Sequence, residues 1–225
     1  MEKQKHVVVI YPHPDDESFG AAGSIIRFRE QGVPVTYLCG TLGEMGRNMG
    51  SPIIANREVL AEIRKKELEE ACKELDIQLR LLGYRDKTLE FEDRQEMAEH
   101  LKEIFEEIEP SLIITHYPGH GVHPDHNALA AGAVEAVRLM EPEKRPTIWA
   151  AAITRNFEAE LGQPDVVNDI TDIFDRKMSA ILKHTSQAGG MLERLADPER
   201  LEAHKARLGK ERYFIWDFDK HKILC

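Results

Sequence analysis

Short apolar, β-branched runs alternate along this chain with longer segments in which apolar residues recur every three or four positions. The first kind marks strands and the second amphipathic helices, so the alternation predicts βαβ units and an α/β fold with a mostly parallel sheet. Strands are expected at 6–11, 34–39, 78–82, 111–116 and 147–154, with a last one at 212–218. Helices are clearest at 58–76, where Leu60, Ile63, Leu68, Ala71 and Leu75 recur, and at 94–108, with Met97, Leu101, Ile104, Phe105 and Ile108. Two more, at 18–31 and 125–140, begin inside or just after a histidine-containing turn. In a parallel sheet the ligand crevice opens beyond the carboxyl ends of the strands. Both histidine turns fall there. The stretch 155–209 reads as helical and polar, with no clean linker and no internal repeat, so one domain over residues 1–225 is the expectation.

Composition narrows the function classes. A formal net charge of -10, with no basic stripe interleaved with aromatics, argues against nucleic acid as a partner. No apolar run approaches the roughly 20 residues of a spanning helix, and Val7–Ile10 is too short for a signal-peptide core, so the expected home is the cytoplasm. Cys39, Cys72 and Cys225 are widely spaced and read as reduced thiols.

Chemistry concentrates in two strings of the same grammar, His13-Pro14-Asp15-Asp16 and His123-Pro124-Asp125-His126. A single such string is usually a polar turn whose aspartate caps the next helix. Two of them at strand-to-helix junctions indicate a shared cation. His13 and Asp16 lie three apart on a tight turn, and His126 projects from the first turn of a helix that Pro124 can open. Two imidazoles and one carboxylate leave a coordination position free, the stoichiometry of catalytic zinc, although another divalent metal fits such a mixed donor set. Asp15 and Asp16 are neighbours and cannot point the same way, which suggests that one holds the metal and the other faces the substrate as general base. By default His116, His120 and His184 are solvated loop histidines, Arg57 and Arg64 belong to a solvated charge lattice, and Gly43-Glu44-Met45-Gly46 is a flexible turn.

Two other classes compete. A nucleotide-binding module is disfavoured, because Phe19-Gly20-Ala21-Ala22-Gly23 lacks the G-x-G-x-x-G spacing and no G-K-[ST] loop follows a strand. A non-catalytic, metal-containing carbohydrate-binding protein is the other class, since a fold alone never guarantees turnover, but it would have no use for a general base beside the metal.

At these residues the chain resembles the LmbE-like, or PIG-L, family of zinc-dependent N-acetylglucosaminyl deacetylases. The resemblance spans most of the chain. It runs through Pro12-His13-Pro14-Asp15-Asp16-Glu17, the turn from Gly43 to Gly46, and Arg64-x-x-Glu67-x-x-x-Ala71-x-x-x-Leu75, then Gly121-Val122-His123-Pro124-Asp125-His126 and Lys183-His184-Thr185-Ser186-Gln187. It implies a Rossmann-like three-layer sandwich and hydrolysis of the N-acetyl group of a glucosamine derivative, releasing acetate and the free amine. It also implies that His13, Asp16 and His126 bind zinc and that Asp15 is the base acting on the attacking water. His123 would stabilise the oxyanion or protonate the leaving amine, and Asp125 would be an orienting partner of the site. Arg64 would reach the substrate, with Arg57 and Glu44 beside it.

Within the family the chain looks most like the deacetylases of bacillithiol biosynthesis, which act on N-acetylglucosaminyl malate, an anionic small molecule whose carboxylate suits an arginine. Another amino sugar such as diacetylchitobiose is the alternative. Mycothiol-pathway members carry a tyrosine where this chain has Gly121, leaving Tyr117 or Tyr213 to supply oxyanion help. Residues 47–56 look long for a turn and are expected to form a mobile lid, and assembly into a homo-oligomer is a further expectation.

Overall fold

The computed structural model describes residues 3–48, 53–188, 191 and 197–223. Its strands are Val7–Tyr11 (β1), Val35–Cys39 (β2), Gln78–Leu81 (β3), Leu112–His116 (β4), Thr147–Ala151 (β5), Val166–Asp169 (β6) and Lys210–Ile215 (β7). Its α-helices are Asp16–Gly20 (α1), Ala22–Glu30 (α2), Leu60–Glu74 (α3), Arg94–Ile108 (α4), Pro124–Leu139 (α5), Phe157–Leu161 (α6), Phe174–Lys183 (α7), Thr185–Ala188 (α8) and Pro198–Leu208 (α9). The seven strands form a sheet in the order β3-β2-β1-β4-β5-β7-β6, with the first five parallel and β7 antiparallel to both its neighbours.

Strands β1, β2 and β4 are buried along their whole length, which is why they read as continuous apolar runs rather than alternating ones. Their side chains still alternate between two cores. Val8, Ile10, Leu38 and Ile113 pack with Leu101 and Phe105 of α4 and with Leu129 and Val137 of α5. Val7, Val9, Tyr37 and Ile114 pack on the other face with Ile25 of α2, Leu68 of α3 and Ala180 of α7. The expected three-layer arrangement follows. Helix α4 begins and ends where periodicity places it, because the Asp93 carboxylate accepts from the N–H groups of Gln95 and Glu96 and Glu109 turns left-handed at φ 51°.

The helix expected at 18–31 is broken at Ala21 (φ −140°, ψ 0°), and the cause lies nearly 190 residues away. The Glu211 carboxylate on β7 accepts from the N–H groups of Gly23 and Ser24 at 2.8 and 2.7 Å, capping the amino end of α2, while the Tyr213 hydroxyl donates to the Gly20 carbonyl. Such a cap has no local signal. The stretch 155–209 is also less polar than expected: Ile170, Phe174, Met178, Ile181 and Ala188 form a buried cluster along α7 and α8. It contains β6 as well, which went unread because four residues with two apolar positions carry too little alternation.

Lys177 of α7 neutralises Glu211 at 2.7 Å, with side-chain exposures of 1% and 2%. Lys177→Met is therefore expected to lower the unfolding free energy by about 3 kcal/mol in urea denaturation, because it strands a buried carboxylate. A loss under about 1 kcal/mol would mean that the backbone and hydroxyl donors satisfy Glu211 unaided.

Candidate metal centre

Neighbouring strands β1 and β4 send their chains in opposite directions, β1 through α1 and α2 to β2 and β4 through α5 to β5. A crevice opens where they diverge. The loop after β1 supplies His13 to Asp16, and the loop after β4 leads to His123, Asp125 and His126 at the start of α5. Asp15 sits in a strained left-handed conformation, φ 109°. Three contacts impose it: the Asp15 N–H donates to Glu17, Arg64 donates to the Pro14 carbonyl, and the Tyr37 hydroxyl donates to the His13 carbonyl at 2.8 Å. The turn sends Asp16 toward His126 and Asp15 toward Arg64, so the two carboxylates face different partners.

Three donor atoms converge. His13 Nδ1 and His126 Nε2 are 3.2 Å apart, and each lies 3.4 Å from Asp16 Oδ2. Donors held about 2.0–2.1 Å from one tetrahedral ion stand about 3.3–3.4 Å from each other. Hydrogen bonding also fixes which nitrogens point inward. His126 Nδ1 is 2.7 Å from the Gly121 carbonyl and must carry the proton, leaving a lone pair on Nε2. His13 Nε2 faces Asp125 and Asp86, each at 3.2 Å, and must likewise donate, leaving a lone pair on Nδ1. Two lone pairs and a carboxylate oxygen that meet at one point repel one another unless a positive charge sits among them. The donor set thus fits a divalent cation. Desolvation opposes charge on His13, but Asp125, Asp16 and Asp86 outweigh it and raise its pKa to about 11. Burial would raise the Asp16 carboxyl, yet His126 and His13 hold it well below the usual range.

The surroundings are equally specific. Asp125 is buried and accepts from the N–H groups of Lys87 and Leu89, which fixes it against His13. Asp86 receives the Met45 N–H, and its own N–H donates to Glu44 Oε1. Sequence reading missed Asp86. The signal available was an acidic residue in the loop after β3, at the same end of the sheet as both histidine motifs. His116 stacks on His126 with ring centroids 4.1 Å apart and planes within 7°, and is buried rather than solvated because β4 ends there. His120 and His184 are also buried, bonded to Thr154 and Glu17. His184 thereby holds Glu17, which holds the Asp15 N–H. Gly121 is required sterically, since a Cβ there would lie 2.7 Å from His126 Cβ.

Asp15 lies beside the cluster. Burial pushes its carboxyl up to about 7, with Arg64 at 3.3 Å pulling the other way. His123 accepts the Asp125 N–H at Nδ1, so its neutral ring carries a proton on Nε2, and burial with the two nearby imidazoles favours that neutral form.

Arg64 is 5% exposed, and its guanidinium is committed to Asp15 and the Pro14 and Gly43 carbonyls. A Cβ on Gly43 would fall 1.9 Å from the Arg64 Nη1, so this glycine is what lets the arginine reach the turn. Arg57 is exposed ahead of α3, outside the gathered residues. Tyr213 is fully buried with its hydroxyl engaged by Gly20, Ser24 and Glu211, which removes it as a source of oxyanion help. Tyr117 is buried among Phe214, Trp216 and His221. Of the stretch 47–56 expected as a lid, residues 49–52 lie outside the described residues.

Comparison with known proteins adds three findings. A family model described as PIG-L, GlcNAc-PI de-N-acetylase, matches residues 8–137. A Bacillus cereus protein named "Probable N-acetyl-alpha-D-glucosaminyl L-malate deacetylase 2" is 56% identical over 191 residues, covering 84% of this chain and 87% of the relative, and its Bacillus subtilis namesake is 54% identical over 195 residues, covering 86% and 88%. Among solved structures, the N,N'-diacetylchitobiose deacetylase from Pyrococcus horikoshii superposes with a TM-score of 0.75 at 27% identity, covering 95% of this chain and 84% of that one.

Proposed function

The chain belongs to the PIG-L family, and on that footing we propose that it hydrolyses the N-acetyl amide of N-acetylglucosaminyl malate to acetate and the free amine. The observation that carries this reading is the triangle of His13 Nδ1, His126 Nε2 and Asp16 Oδ2 with Asp15 and His123 beside it. The malate glycoside is favoured over other amino sugars by the two Bacillus relatives, whose names specify it. The role is a step of bacillithiol biosynthesis, carried out in the cytoplasm by one domain.

His13, Asp16 and His126 would hold the cation, zinc in this proposal, because two imidazoles and a carboxylate are a catalytic donor set for it. When bound, it supplies Lewis acidity, polarising the amide carbonyl and easing proton loss from water beside it. Asp15, held by Arg64, takes the proton as water attacks the carbonyl carbon. It then returns the proton to the nitrogen as the C–N bond breaks. His123, neutral and protonated on Nε2, donates to the oxygen that gains negative charge. Asp125 and Asp86 hold the His13 ring in the tautomer that turns Nδ1 inward.

Asp86→Ala is accordingly expected to weaken metal affinity roughly 10- to 100-fold, measured by competition with a chelator. Unaltered affinity would remove Asp86 from the site. The functional reading is tested by following acetate release from N-acetylglucosaminyl malate, the inositol glycoside and diacetylchitobiose with metal-loaded protein. The malate glycoside is expected to have the highest kcat/KM. No acetate from any of them would refute the proposal.

A further inference from the structure

We propose that the carboxylates of the substrate's aglycone are received by Arg155, Arg207 and Arg212, in a cavity that opens beside Asp16. The identity of the sugar rests on the deacetylase reading above; the aglycone site is argued from the cavity itself. Its volume is about 660 Å³, within the range of small-molecule sites, and Asp16 stands in its wall. Of the triangle residues Asp16 alone lines it, so the cavity adjoins the triangle, and in this proposal the rest of the glycoside extends into it from an acetamido group held there.

Topology explains why cations gather there. Because β7 runs antiparallel to β5, its first residues, Lys210 to Arg212, come to the carboxyl end of the parallel strands, where the metal cluster lies. The chain leaving β5 brings Arg155 to the same end, and the last turn of α9 brings Arg207. Charge pairing within the cavity is incomplete. Lys177 and Glu211 cancel each other, and Lys210 has Asp169 at 3.9 Å. Among the described residues, Arg155, Arg207 and Arg212 have no carboxylate within the 4.0 Å of an ion pair, although all three line the cavity.

That is an unusual place to leave three guanidinium groups in a chain with 40 acidic and 30 basic residues. Gathered around one space they repel each other, and an anionic ligand relieves the repulsion. Each guanidinium presents a planar fork that meets a carboxylate with two hydrogen bonds. A dicarboxylic aglycone satisfies two forks at once, whereas an inositol or a second sugar brings no charge. Arg64 cannot serve instead, being buried and already bonded to Asp15, Pro14 and Gly43. The cavity, rather than the metal cluster, then discriminates among N-acetylglucosamine glycosides.

The test is calorimetric titration of metal-loaded protein with N-acetylglucosaminyl malate and with the methyl α-glycoside of N-acetylglucosamine, in an Asp15→Asn background that suppresses turnover. The background protein is expected to bind the malate glycoside at least about tenfold more tightly. Adding Arg207→Ala and Arg212→Ala should collapse that ratio toward one. Arg155→Ala, on a different element, should reduce it independently. High salt should shrink it as well. Equal binding of the two glycosides by the background protein, or a ratio that survives the arginine substitutions, would overturn the inference. Acetate release by the wild-type chain is measured separately: a surviving malate preference without acetate release would sink the deacetylase reading and leave the cavity assignment standing.

Discussion

Asp15→Asn is expected to lower the rate of acetate release by about 10³-fold while the protein keeps one equivalent of divalent cation. The carboxylate is the base in this account, and the amide that replaces it cannot accept the proton of the attacking water. Asparagine is the informative substitution because Asp15 sits at φ 109°, a conformation that asparagine tolerates and alanine does not. The side-chain oxygen of the substituted amide can still accept from Arg64, and the Asp15 N–H contact to Glu17 is a backbone contact that the substitution leaves in place. Loss of activity therefore reports on proton transfer and not on collapse of the turn. Metal analysis and acetate release on the same preparation check it. Full activity with bound metal would remove Asp15 from the chemistry.

His126→Ala is expected to behave differently, losing the metal together with at least about 10⁴-fold of activity. Its Nε2 is one corner of the triangle, and the remaining two donors leave a cation mostly to water. The substitution also frees the Gly121 carbonyl from its 2.7 Å partner and exposes the face of His116 on which His126 stacks. A melting curve separates local loss from unfolding. Metal retained at wild-type affinity in His126→Ala would contradict the ligand assignment even if activity disappeared, and this contrast with Asp15→Asn is what tells ligand from base.

Much of the site was legible because its strongest signals are local. His13 to Asp16 and His123 to His126 are contiguous strings at strand ends, and the order of β1 and β4 in the sheet brings them together. Alternation of apolar runs with amphipathic segments placed the five parallel strands, and the apolar spacing from Met97 to Ile108 placed α4. What stayed hidden depends on long-range contacts. The break at Ala21 needs Glu211 and Tyr213 from β7, and nothing near residue 21 announces them. Asp86 becomes a partner of His13 only because β3 ends beside β2. His184 reads as a loop residue in sequence, yet it is buried against Glu17 behind the Asp15 turn. Arg64, read as reaching the substrate, is buried, and its Nη atoms bond to the Pro14 and Gly43 carbonyls and to Asp15, contacts that no local pattern announces.

The claim on which the rest depends is that His13, Asp16 and His126 close on one divalent cation, and diffraction above the zinc edge from crystals grown with zinc tests it directly. A single anomalous peak is expected about 2.0–2.1 Å from His13 Nδ1, His126 Nε2 and Asp16 Oδ2. A peak among His13, His123 and Asp125 instead, or no peak in the crevice at full zinc loading, would contradict it.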